Sequence, residues 1–296
     1  TTQYHPSLCS KLSIQARTRR KRGFPCDFPS SKEWRGQNEG FVPTREGSLS
    51  PLSRVTTDHK LHNCTTHLVI EKMSAHLSLL LKNRTAIVTG AGGGLGRAYA
   101  LELARRGANV LVNDLSDSAS EAVAAEIIAN GGRAEPNMDN VATSPDAIIA
   151  HALKAFPQNN QNNNNNIDIL VNNAGILRDK SFSKAEHSDW HSVMDVHLNG
   201  TYGLCKEAWG NMVKNEYGRI VNVGSGAGLY GSFGQSSYSA AKMGIVGLTQ
   251  TLALEGEKHN IRANVVVPIA ASDMTKTVLP EALLSMLEPE HISALV

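Results

Sequence analysis

The chain has 296 residues, 41% hydrophobic and 19% charged, enough for one large α/β domain with a buried core, or for one domain plus a tail. Its 29 basic and 27 acidic residues leave a formal charge of +2, which argues against nucleic acid or an acidic membrane as the main partner. Four cysteines without disulfide or zinc spacing, and no apolar run near the ~18 residues of a membrane span, exclude a disulfide framework, a zinc module and a helical membrane protein.

Residues 1–72 stand apart from the rest. They carry Pro6, Pro25, Pro29, Pro43 and Pro51 and show no sustained period of 2 or 3.6, so an irregular or disordered segment is expected. Its basic cluster, Arg17 with Arg19, Arg20, Lys21 and Arg22, fits a solvated tail, a nuclear signal or a transit peptide. Asp27, Glu33, Glu39 and Glu46 speak against the last of these. Met73 precedes the first clear element, and the folded domain is expected over 73–296.

From Arg84 the pattern changes. Thr85–Thr89 (TAIVT) reads as a short buried strand, followed by a glycine-rich turn and a helix with apolar positions at Leu95, Ala98, Tyr99, Leu101 and Leu103. Strands follow at Ala108–Asn113, Ala134–Met138, Ile167–Asn172, Gly218–Val223 and Ala263–Val267. Between them, helical periodicity runs over Ala119–Asn130, Pro145–Phe156, within Trp190–Lys214 and over Ser237–Lys258. Continuous apolar strands alternating with helices predict a Rossmann-type α/β fold: three layers around a doubly wound parallel sheet. The Asn-rich tract 158–166 is expected to be a surface loop, since loops accept insertions at small entropic cost. A doubly wound sheet of this type normally adds one more helix and strand beyond Val296, so truncation before the last strand is expected.

The segment TGAGGGLG at 89–96 follows a strand and opens a helix. Gly90, Gly94 and Gly96 permit a tight turn and close approach of a pyrophosphate, which the free N–H groups of the helix N-terminus would bind. Asp114 ends the second strand, where its carboxylate would accept hydrogen bonds from the adenosine ribose and repel a 2′-phosphate. NAD is therefore expected over NADP, although a turn or cap aspartate would look the same. Tyr238 and Lys242 lie at i and i+4 and share a helical face. A phenol of ordinary pKa near ~10 is a weak base at neutral pH. A neighbouring ammonium and a positive nicotinamide ring would favour its phenolate, so Tyr238 could take a proton from a substrate hydroxyl held by Ser225. Alone, a Tyr-x-x-x-Lys is more often a surface pair; beside the glycine loop and a serine after a buried strand, the chemical reading prevails.

With these residues in hand, the chain resembles the short-chain dehydrogenase/reductases from Arg84 to Pro268. TGAGGGLG, NNAG at 172–175, Asn199 in HLNGTY, and Ser225 ahead of YSAAK carry the resemblance. It implies that Asn199 supports a water in a proton relay with Lys242. It also implies that Leu95, Asn172, Ala174 and Gly175, together with Tyr238 and Lys242, line the cofactor, while Asp139 and Asn140 contact the adenine. No metal is implied.

A narrower resemblance rests on NDL at 113–115, GILRDKSF at 175–182, YGSFGQSSYSAAK at 230–242, MTKTVLPE at 274–281 and EPEHISALV at 288–296. These phrases are similar to the (3R)-3-hydroxyacyl-CoA dehydrogenase domain of type 2 peroxisomal multifunctional β-oxidation enzymes. That implies oxidation of a (3R)-3-hydroxyacyl-CoA, a peroxisomal setting, an acyl-CoA as the small-molecule partner and a homodimer when complete. The sequence departs from the pattern at Ser116–Ser120, which lacks a glycine-rich insertion, and at Asp273, where arginine is usual. The hydratase and sterol-carrier-like portions are missing, and the chain ends Ala-Leu-Val without a peroxisomal signal, which keeps a cytoplasmic setting open. Two other functions stay open: an NADPH-dependent 3-oxoacyl-[acyl-carrier-protein] reductase, and a non-catalytic nucleotide-binding module on the same fold.

Overall fold

The computed structural model describes residues 80–157, 165–269 and 287–296. The expectations for 1–72 and Met73, most of the Asn-rich tract, Asp273 and MTKTVLPE lie outside the described residues. No helix among the described residues is long and apolar enough to cross a membrane.

Among the described residues, six strands form one parallel sheet: β1 Thr85–Thr89, β2 Asn109–Asn113, β3 Arg133–Asn137, β4 Ile169–Asn172, β5 Gly218–Val223 and β6 Ile261–Val266. Their spatial order is β3-β2-β1-β4-β5-β6, the doubly wound order expected. All five residues of β1 are buried because both faces of the sheet are covered. Alternate residues feed opposite layers. Ala86 and Val88 pack with Tyr99 and Leu103 of α1 (Gly94–Arg105) and Val123 and Ile127 of α2 (Asp117–Ala129). Ile87 and Leu170 pack on the other side with Ile148 and Phe156, from α3 (Pro145–Ala155) and the residue after it, and with Leu204 and Met212 of α5 (Gly200–Lys214). Each such side chain, fully buried, contributes about 1.5–3 kcal/mol. Strand β3 holds Pro136, which a sheet tolerates at an edge, and β3 is the edge strand.

Strand β1 is also tied down by charge. The buried carboxylate of Asp168, just before β4, accepts from the Thr85 amide at 2.8 Å and from Arg84 Nη1 at 2.6 Å.

The stretch read as one long helix within Trp190–Lys214 is interrupted. Helix α4 (His187–Met194) passes through a single π-helical turn, Asp195–Asn199, before α5 begins. Such a turn adds a residue to the helical ladder and changes which side chains face inward. After β5 comes a short helix, α6 (Gly226–Tyr230), not legible as periodicity, then the long α7 (Ser236–Gly256). Helix α8 (Pro289–Ser293) lies against α1, with Ile292 and Val296 packed on the core.

Candidate active site

Strands β1 and β4 are sheet neighbours whose connections leave in opposite directions. Ligands of open parallel sheets bind in the crevice this creates at the strand C-termini. A cleft of about 210 Å³ lies there, and its lining includes Gly90, Asp114, Asp139, Asn140, Ala174 and Gly175, all anticipated for the cofactor. Gly90 has φ +60°, and a Cβ on Gly96 would run into the Gly90 carbonyl oxygen, so the loop and the start of α1 close on each other only because both are glycine. Gly94, at φ +50°, opens the helix without lining the cleft. Leu95 packs beneath the loop on the core. Asp114 sits over the loop: its Oδ2 accepts from the Gly92 amide at 3.0 Å and its Oδ1 from the Ser116 amide at 3.0 Å. Glycine cradle, helix N-terminus and strand-end carboxylate together fit a nicotinamide dinucleotide.

Sequence reading missed the device that holds the far end of this cleft. Asn113 Nδ2 donates to Asn137 Oδ1 (2.7 Å) and to the Asp139 carbonyl (2.8 Å), and Asn137 Nδ2 donates to Asp139 Oδ2 (2.7 Å). Two buried amides at equivalent ends of adjacent strands thus fix Asp139; the paired Asn at the ends of β2 and β3 were the available signal.

Asn172 does not line the cleft. It is still inside β4 and is buried against the α5 layer, its Nδ2 donating to Asn222 Oδ1 at 2.8 Å and to Cys205 Sγ at 3.4 Å. The next residue, Asn173, does the work nearest the loop: its Nδ2 donates to the carbonyls of Thr89 and Gly90, each at 3.0 Å.

The catalytic candidates meet beside the cleft. Ser225 caps α6, its Oγ accepting from the Ala227 amide at 3.2 Å, and its hydroxyl acts on the Tyr238 phenol. Lys242, one turn beyond Tyr238 on α7, is 4% exposed. Its Nζ donates to the Val223 carbonyl at 2.6 Å and lies 5.6 Å from the Tyr238 ring centroid. Burial pulls the Lys242 ammonium down to about 7. Burial also holds the Tyr238 phenol above its ordinary value; the Ser225 hydroxyl opposes this, and the Asp179 charge adds to it. Cys205 is no nucleophile, since burial pushes its thiol up to about 12.

Asn199 is not part of this cluster. It closes the π turn on the exposed side, its Nδ2 bonded to Asp195 Oδ1 at 2.8 Å. The same turn carries His197 inward instead. That ring is buried and meets Tyr238 edge-on, centroids 5.1 Å apart at 89°. A histidine on a helix gave no sign of this in sequence; the widened turn produces it.

Three comparisons bear on this geometry. The family described as short chain dehydrogenase matches residues 84–282. Peroxisomal multifunctional enzyme type 2 of Mus musculus is 48% identical over 227 residues, covering 74% of this chain and 30% of that protein, so the chain spans under a third of that relative. Among solved structures, full-length peroxisomal multifunctional enzyme type 2 from Drosophila melanogaster aligns with TM-score 0.59 and 40% identity, over 72% of this chain and 35% of that one. A short chain dehydrogenase from Mycobacterium avium aligns with TM-score 0.64 and 38% identity, over 73% and 77%.

Proposed function

The chain belongs to the short-chain dehydrogenase family, and from that premise we propose that it oxidises a (3R)-3-hydroxyacyl-CoA to the 3-oxoacyl-CoA with NAD, as a step of peroxisomal fatty-acid β-oxidation. The observation that carries the proposal is Tyr238 grouped with the Ser225 hydroxyl and the buried Lys242, beside a cleft lined by Asp114. The relatives with type 2 multifunctional names support the substrate class and the compartment.

Ser225 positions the substrate oxygen with the proton its cap leaves free. Tyr238 Oη takes the hydroxyl proton as the C3 hydride departs. When bound, the nicotinamide accepts that hydride, and its positive ring favours the phenolate. Lys242 supports the same phenolate from one helical turn away, anchored by the Val223 carbonyl. Asn113 and Asn137 hold Asp139 for the adenine, and Asp114 takes the ribose hydroxyls, which selects NAD over NADP. A homodimer is the expected assembly.

The test is cofactor reduction by the full chain with (3R)- and (3S)-3-hydroxyacyl-CoA esters, each with NAD and NADP. Turnover of the 3R ester with NAD is expected. Preference for NADPH-driven reduction of a 3-oxoacyl carrier protein would replace this reading with the reductase. Nucleotide binding without turnover of any ester would replace it with a non-catalytic module.

A further inference from the structure

The amide pair that fixes Asp139 ends on a side chain outside the cleft. Asn137 is 2% exposed, so each N–H of its side-chain amide needs a partner. One donates to Asp139 Oδ2 at 2.7 Å. The other meets Nδ1 of His151, on α3, at 2.8 Å.

Backbone groups set the direction of every bond in this chain, because they have no alternative form. Asn113 Nδ2 donates to the Asp139 carbonyl at 2.8 Å, so the Asn113 amide cannot be reversed. Asn137 Oδ1 accepts from Asn113 Nδ2 at 2.7 Å and from the Asp139 amide at 3.3 Å. Reversing Asn137 would set N–H against N–H at those two contacts and oxygen against the Asp139 carboxylate. Asn137 Nδ2 is therefore the donor toward the ring, and His151 Nδ1 accepts. The hydrogen of the neutral imidazole then sits on Nε2, 4.0 Å from Glu135 Oε1. Packing is a poor account of this ring, since its side chain is 34% exposed while the amide it receives is buried.

We propose that His151 is a positioning residue for the adenine end of the cleft: by accepting from Asn137 it holds that amide in the one orientation that grips Asp139 Oδ2, and so leaves Asp139 Oδ1 to accept from the adenine amino group. Without an acceptor at Nδ1 the second Asn137 N–H is stranded in a buried place, and the amide relieves this by turning away from the carboxylate. The inference rests on the reading of Asp139 as the adenine contact. Its test reads binding and spectra, and is independent of turnover.

The first measurement is calorimetric binding of NAD and of nicotinamide hypoxanthine dinucleotide, which carries an oxo group in place of the adenine amino group. The parent should prefer NAD by at least about tenfold, because the analogue brings no donor to Asp139. An Asn amide overlays the place of Nδ1, and a Gln amide overlays that of Nε2. His151→Leu and His151→Gln should therefore lose most of this preference, through weaker NAD binding, while His151→Asn keeps it within about threefold of the parent. Equal weakening of both dinucleotides, or a preference that survives in His151→Leu, would make the ring a surface residue and overturn its role. A parent that binds both dinucleotides equally refutes the adenine contact of Asp139, and the proposal with it. The second measurement is the imidazole 15N spectrum of the full chain, with His151 assigned by the signal lost in His151→Asn. A neutral ring protonated on Nε2 is expected; one protonated on Nδ1 overturns the proposal, since Asn137 could not donate to it.

Discussion

Lys242→Met should make the protein more stable and less active, by amounts that depend on pH in a calculable way. The lysine is pulled from its ordinary 10.5 to about 7 by burial alone. At 1.36 kcal/mol per unit, keeping it costs the fold roughly 5 kcal/mol wherever it is charged in the unfolded chain and must be buried charged or deprotonated. Methionine fills a similar volume without that cost but strands the Val223 carbonyl, a loss of about 1–3 kcal/mol. The net gain at pH 7 is roughly 2–4 kcal/mol. The sign with pH follows from proton counts. Between 7 and 10.5 the unfolded chain binds the lysine proton and the folded chain does not, so the parent gains stability as pH rises. The penalty is absent above 10.5, grows as pH falls and is complete near 7. The advantage of the variant should therefore shrink by about 1.4 kcal/mol per pH unit and nearly vanish by pH 9. Urea unfolding of both chains at pH 7, 8 and 9 reads this directly. A stability difference that stays constant over that range would mean that Lys242 keeps an ordinary pKa in the fold, and the reasoning would fail.

Three further outcomes are expected. Asp114→Ala removes the carboxylate that accepts from the Gly92 and Ser116 amides, so the ratio of NAD to NADP efficiency should fall at least tenfold in steady-state assays; an unchanged ratio would make it a loop residue only. Gly96→Ala pushes a methyl into the Gly90 carbonyl and should weaken NAD binding at least tenfold by calorimetry while leaving far-UV circular dichroism intact; retained affinity would show that the loop can yield. Asp168→Ala removes the carboxylate that accepts from the Thr85 amide and from Arg84, whose part-exposed guanidinium keeps its stack on Tyr217, and should cost about 1–3 kcal/mol by chemical denaturation; an unchanged stability would mean that water replaces it.

The strands were legible because a sheet covered on both faces writes itself as short apolar runs, and TAIVT and GRIVNV correspond to β1 and β5 residue for residue. The glycine loop and Asp114 were legible because a phosphate-binding turn restricts residue type at fixed places. The errors share one physical origin, which is side-chain direction. Asn172 and Asn173 are adjacent and identical in type, yet one faces the α5 layer and the other the loop, because β4 ends between them. Asn199 was expected beside Lys242 from the resemblance, and the π turn instead leaves it on the exposed side and turns His197 inward. The amide pair Asn113–Asn137 needed strand register, which no single segment contains.

The central claim is that Tyr238 is the base of a dehydrogenase. Tyr238→Phe removes one oxygen from a half-buried ring and leaves the edge contact with His197, the glycine loop and Asp114 in place. Steady-state oxidation of a (3R)-3-hydroxyacyl-CoA, with NAD affinity measured on the same samples, tests it most directly. The account predicts a loss of roughly 10²–10⁴-fold in kcat with NAD affinity within about twofold of the parent. Turnover within tenfold of the parent would contradict it.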